Sequence, residues 1–217
     1  MIYATFLTGE EYRKKYTQQV LREVKDKDVH ILTDRPELFP ECKTELYDRE
    51  VFSYYDKLTF LVRTVIERKE RVTFIDCDWF SGLHTGIDIE PDTFYTYALF
   101  NFNNFKYMPF AQEGIDMVQN VLKENKYNLM REVYIGEALM SLPYLDSIQD
   151  ILNDLKTLQK VWENTFNQNV DVNSKLARYA SYGVGFGEGG ALTAVLQKYN
   201  VTLKDVDRKK FIHNNTI

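Results

Sequence analysis

Two cysteines, Cys42 and Cys77, are all that this chain carries. That number excludes a disulfide scaffold, their spacing suits no metal-ligand motif, and a reducing compartment is the expectation. Long hydrophobic runs are also missing. None reaches the ~18 residues that a bilayer span needs, and the opening Met1-Ile2-Tyr3-Ala4-Thr5-Phe6-Leu7 lacks the basic n-region of a signal peptide. A soluble, cytoplasmic protein is therefore expected. A basic excess is absent too: 27 Lys+Arg stand against 32 Asp+Glu, for a net charge of -5. This balance offers no broad positive face for sequence-independent DNA binding, although it leaves room for a local basic groove. Internal repeats and low-complexity linkers are lacking as well.

What is present points to a folded enzyme-sized unit. The 217 residues suit one large domain or two closely fused lobes, and 44% hydrophobic residues can fill a sizeable core. The 15 Tyr and 14 Phe fit core packing, or the stacking of sugars or bases.

Ile2 to Leu7 reads as a buried first strand. Thr8-Gly9-Glu10-Glu11 starts a helix, with Thr8 or Gly9 as cap and acids in the first turn. Tyr12, Tyr16, Val20, Leu21 and Val24 recur at helical spacing to about Lys25. Val29 to Thr33 is the second strand, which completes a βαβ unit. His30 within it reads as a satisfied strand histidine and not as a ligand. A short third strand over Thr44–Tyr47 and a helix from Val51 to Glu67 follow, the helix carrying Lys57. Val72-Thr73-Phe74-Ile75 is then a strand of strong β character that runs into Asp76-Cys77-Asp78.

Downstream, Thr93–Phe102 alternates as one strand, Ala111–Lys123 as a helix and Glu132–Ile135 as a short strand. Asp146-Ser147-Ile148-Gln149 opens a helix whose stripe is Ile148, Ile151, Leu152, Leu155, Leu158 and Trp162. Gly183 to Gly190 is a glycine-dense loop, followed by a helix over Ala191–Tyr199. The basic tail from Arg208 shows no periodicity.

The chemistry concentrates at two places. Asp76 and Asp78 end a buried strand, where their charge needs either solvent, as in a plain turn, or a cation. They stand too close for a glycosidase pair, and their spacing suits joint coordination of one hard cation, Mn2+ or Mg2+, that bridges phosphate oxygens. Cys77 between them reads as a small apolar group pointing elsewhere. The formal G-x-G-x-x-G at Gly185, Gly187 and Gly190 sits too late in the chain for a dinucleotide fingerprint. It serves either to project Glu188 or to let Glu188 cap a helix start, as the helix dipole favours.

Together, the first strand, Thr33-Asp34-Arg35-Pro36 and Asp76-Cys77-Asp78 resemble a GT-A glycosyltransferase. The closer resemblance is to glycosyltransferase family 6, the histo-blood-group A/B and α-1,3-galactosyltransferase family. Its "TDxP" loop is matched by Thr33 to Pro36 and its "DVD" metal motif by Asp76 to Asp78. An aromatic "YxxGxxxxG" stretch is loosely matched by Tyr134 to Met140. Phe186 to Leu192 resembles the segment carrying the family's catalytic glutamate.

The resemblance implies a single GT-A domain over residues 1–217, a Rossmann-like mixed sheet flanked by helices. About 1–80 would form the nucleotide-binding half and about 81–217 the acceptor-binding half. It implies a metal-dependent transfer of a hexose from a nucleotide sugar, taken as a UDP-sugar, to an acceptor hydroxyl with retention of configuration. Phe6, Thr8 and Tyr12 would contact the base, and Lys57 the donor. Asp76 and Asp78 would hold the metal and diphosphate, with Asp76 also near the ribose. Gly136 and Glu137 would distinguish donor sugars, and Glu188 would be the nucleophile or oxocarbenium-stabilising carboxylate. His213 resembles a third metal ligand of the glycogenin-like GT-A family, against the plainer reading of an idle tail histidine.

The chain departs from the family at Phe186-Gly187 and Gly189-Gly190, where the family has His-Asp and Ser-His, so the donor sugar is left open. The animal members' membrane anchor has no counterpart, which implies a bacterial or viral cytoplasmic enzyme. The acceptor is a glycan, a protein or a modified DNA base. Two other readings stand beside this one: a nucleotidyltransferase making nucleotide sugars, and a non-catalytic α/β interaction module. The acidic Thr8-Gly9-Glu10-Glu11 argues against the first, which usually has a basic glycine-rich loop there.

Overall fold

Four residue stretches of strong β character near the N-terminus meet in one sheet. In the computed structural model the described residues are 1–49, 53, 55–80, 82–83, 89–97, 99–101, 119–127, 133–135, 138–165 and 189–207. In chain order they form β1 (Ile2–Leu7), α1 (Glu10–Glu23), β2 (Asp28–Thr33), β3 (Lys43–Leu46), α2 (Tyr55–Arg68) and β4 (Val72–Ile75). Next come β5 (Thr93–Thr96), β6 (Leu99–Asn101), α3 at 119–124, β7 (Val133–Ile135) and β8 (Leu139–Leu142). Helix α4 (Ile148–Thr165), helical residues 189–198 (α5) and β9 (Thr202–Asp205) follow.

Seven strands make a mixed, mostly parallel sheet in the order β3-β2-β1-β4-β8-β5-β9. β1, β2, β3 and β4 run parallel, β8 is antiparallel to both β4 and β5, and β9 is parallel to β5. β6 and β7 pair antiparallel in a separate two-stranded sheet. The α/β class with a helix-flanked mixed sheet is thus as the sequence predicts.

Period-two alternation sends β1 side chains to two separate cores. Ile2, Ala4 and Phe6 join Phe74 and Met140 against α2, α4 and α5. Tyr3 and Leu7 join Ile31 and Ile75 against Val20 and Val24 at the end of α1. α2 is covered by both the sheet and α4, so its first turn is buried along with its apolar stripe. The buried carboxylate of Asp56 in that turn accepts hydrogen bonds from Tyr47 Oη, Arg49 Nη1 and Gln159 Nε2, each at 2.8 Å. Three donors offset its desolvation and bind the start of α2 to α4. Among the described residues no helix is long and apolar enough to cross a membrane.

Four expectations need correction. The single strand over 93–102 is two strands, because β5 enters the main sheet beside β8 while β6 belongs to the small sheet. β8 is absent from the sequence reading: Leu-Met-Ser-Leu has no β-branched residue, and with every position buried it shows no alternation. β9 was likewise hidden, as a short, largely exposed edge strand. Gly189 and Gly190 are helical and buried, not part of a glycine loop, and Thr193 Oγ1 donates to the Gly189 carbonyl at 2.6 Å.

His30 sits in β2 as expected, only 4% exposed, with its ring edge-on to Phe60. It is less satisfied than its setting suggests, since among the described residues Nδ1 has no partner and Nε2 lies 4.0 Å from Glu67 Oε2. Burial, with Lys43 and Arg68 nearby, lowers its pKa from 6.5 to about 4. The unfolded chain therefore binds this proton first as pH falls. Stability is expected to be level above pH 6.5 with respect to this group, and to fall by about 3 kcal/mol between pH 6.5 and 4. Urea titrations of wild type and His30→Gln across that range check it: the difference in unfolding free energy should change with pH only inside this window.

Candidate functional site

The order of the sheet reverses at its centre. From β1 the chain goes outward to β2 and β3, then crosses back to lay β4 on the other side of β1. In open α/β sheets, such a switch point leaves a crevice beyond the carboxyl ends of the two strands. A cavity of about 380 Å³ lies there. Phe6, Thr8 and Gly9 line it from the end of β1, Tyr12 from α1, and Lys57 from α2. Asp76, Cys77 and Asp78 line it from the chain after β4.

Of the site residues predicted from sequence, Phe6, Thr8, Tyr12, Lys57, Asp76 and Asp78 come together in this one cavity. Gly136, Glu137, Glu188 and His213 lie outside the described residues.

Each wall has a local cause. Gly9 caps α1 at φ 80 and ψ 144, a conformation open essentially to glycine, and its N–H donates to Asp34 Oδ2 at 3.3 Å. Arg13 forms an ion pair with the same Asp34 oxygen. The Thr33-Asp34-Arg35-Pro36 loop after β2 thus pins the first turn of α1. Tyr12, part of the apolar stripe read from sequence, is 56% exposed and belongs to the cavity wall, not the core. Phe6 meets the Tyr47 ring edge-on at 4.9 Å, and Tyr47 in turn is held by Asp56.

The acids are set by β4. Asp76 N–H donates to the Ala138 carbonyl at 2.9 Å, continuing the pairing of β4 with β8 one residue past the strand. The chain then turns, with Trp79 N–H on the Asp76 carbonyl at 2.9 Å. Cys77 is buried on the α1 side of the sheet; burial, with the two flanking carboxylates, pushes its thiol up to about 12, so it stays a neutral apolar group. Lys57, 6% exposed, brings its ammonium to 3.8 Å from Asp76 Oδ1. Burial raises the Asp76 carboxyl above its ordinary value, Lys57 opposes that shift, and Asp78 adds to it.

Asp76 and Asp78 are the residues on the cavity wall that could hold a hard cation. Among the described residues no group of three or more His, Cys, Asp and Glu could hold a metal by itself. Two carboxylates on one cavity wall instead match a cation that takes its remaining oxygens from phosphates and water. An anionic ligand would also relieve the desolvated Lys57.

Sequence reasoning missed Gly9 as a cavity residue and Asp34 as the group that fixes it. The Thr-Gly pair at a strand-to-helix junction was the available signal for Gly9. A Cβ on Gly9 would meet nothing within 4 Å, so Gly9→Ala isolates the backbone strain. Chemical denaturation should show a loss of about 1–3 kcal/mol. Against known proteins, the chain matches no family model and no curated protein.

Proposed function

We propose that this protein is a metal-dependent glycosyltransferase of GT-A type, moving a hexose from a nucleotide sugar to an acceptor hydroxyl. One observation carries the reading. Six residues that the family resemblance assigns to donor and metal come from three separate stretches of chain, and all six line the cavity at the sheet's switch point.

Each of these residues has a task that its surroundings suit. Phe6 and Tyr12 offer aromatic rings to a base, and Thr8 and Gly9 bring the backbone to the cavity edge at the start of α1. Lys57 supplies a buried positive charge, which binds an anion more strongly than it would in water. Asp76 and Asp78 hold Mn2+ or Mg2+. When bound, the cation neutralises charge on the departing nucleotide diphosphate. Glu188 carries over from the resemblance alone, as the carboxylate that stabilises positive charge at the anomeric carbon or attacks it with retention. Glu10 and Glu11 in the first turn of α1 count against nucleotidyl transfer, which would want basic residues there.

Uridine diphosphate binding, measured calorimetrically with and without Mn2+, tests the reading. Wild type should bind more tightly with Mn2+, and Asp76→Asn and Asp78→Asn should each lose most of that gain. Lys57→Met should weaken binding about tenfold even without metal, as loss of a charge-assisted contact does. Release of nucleoside diphosphate from a panel of UDP- and GDP-sugars should fall about a hundredfold or more in both aspartate variants. Metal-independent binding that both aspartate variants leave unchanged would contradict the proposal.

A further inference from the structure

We propose that Gln19 and Glu23 of α1 are positioning residues for the cation at Asp76 and Asp78, setting the turn that presents both carboxylates. This rests on the metal-dependent reading above and names side chains that neither the resemblance nor the motif reading touches.

Residues four apart share one face of a helix, and here that face is turned to the chain after β4. Gln19 Nε2 donates to the Cys77 carbonyl at 3.3 Å and reaches the Asp78 carbonyl at 3.5 Å. Glu23 accepts from two successive backbone N–H groups, Gly82 at 2.7 Å and Leu83 at 3.0 Å. Between these anchors the acids sit in a tight turn, closed by Trp79 N–H on the Asp76 carbonyl and Phe80 N–H on the Cys77 carbonyl at 3.4 Å. The upstream end of that turn is tied to Ala138 and the downstream end to Glu23.

A carboxylate is the side chain that this position requires. Two converging N–H groups need two acceptor oxygens, and a glutamine would set its amide hydrogens against one of them. Burial works to raise the Glu23 carboxyl, but the two N–H groups and Lys27, 3.4 Å away, outweigh it and hold it ionised. α1 itself is fixed at its other end, where Asp34 binds Gly9 and Arg13. The helix therefore acts as a rigid bar between the nucleotide wall and the acidic turn. Groups that orient ligands through a second layer of hydrogen bonds typically alter metal affinity by about 10–100-fold when removed.

The test measures free Mn2+ by electron paramagnetic resonance, in the presence of uridine diphosphate, for wild type, Asp78→Asn, Glu23→Gln and Gln19→Leu. Circular dichroism establishes that each variant is folded. Wild type should bind Mn2+ and Asp78→Asn should not. Glu23→Gln should weaken Mn2+ binding about tenfold, and Gln19→Leu about threefold or more. Metal-free uridine diphosphate binding should stay at the wild-type value in both. Gln19→Leu changes no charge, so a loss there cannot come from a weaker long-range attraction for the cation. Unchanged Mn2+ affinity in folded Gln19→Leu overturns the proposal, whatever Glu23→Gln does. So does an equal loss of metal-free nucleotide binding, which would mark the two residues as merely structural. Failure of wild type to bind Mn2+ is a different result, and it overturns the functional reading itself.

Discussion

β1 and β4 lie side by side in parallel at the centre of the sheet, and the chain leaves them toward opposite edges. Every feature of the site depends on that arrangement. It opens a crevice that the described residues do not fill, and it gives the crevice two unlike walls. The wall after β1 is aromatic and backbone-rich, with Phe6, Gly9 and Tyr12. The wall after β4 is acidic. Because β4 is buried on both faces, its charge is carried only at the tip, where Asp76 emerges.

The acidic wall would be costly without Lys57. Its ammonium lies 3.8 Å from Asp76 and is itself nearly dry, so the pair lowers the cost of two partly desolvated charges without removing it. A phosphate and a divalent cation together offer each partner a stronger counter-charge than they offer each other. On the proposed function, the anion would lie toward Lys57 and the cation toward Asp76 and Asp78. Asp56, next to Lys57 in sequence, is satisfied by three donors and fixes the first turn of α2 that carries it.

Much of this was legible in the sequence, and the reasons differ by element. β1, β2 and β4 show through their β-branched and aromatic residues and α2 through its apolar stripe, and the stripe of Ile148, Ile151, Leu152, Leu155, Leu158 and Trp162 is buried as its spacing requires. β8 escaped because Leu-Met-Ser-Leu, buried on both faces like β4, has none of the β-branched or aromatic residues that mark β4, and β9 because an exposed edge strand has no apolar signature. The split of β5 from β6 depends on which sheet each joins, which local pattern does not encode. At the site, the spacing of Asp76 and Asp78 at a strand tip pointed to a cation by itself, and the family resemblance gave Lys57 its role on the donor. Periodicity alone assigned Tyr12 to the core. Gln19 and Glu23 looked like ordinary polar helix positions, since their partners are backbone groups some sixty residues away.

On the proposed function, one cavity at the β1/β4 switch point holds both the nucleotide and its cation. A crystal structure grown with Mn2+ and uridine diphosphate tests it most directly, using the anomalous signal of manganese. The account predicts a single manganese peak bonded to Asp76 and Asp78, with the diphosphate between it and Lys57 and the base against Phe6 and Tyr12. Nucleotide bound elsewhere, or bound in this cavity with no manganese at the two aspartates, would contradict it.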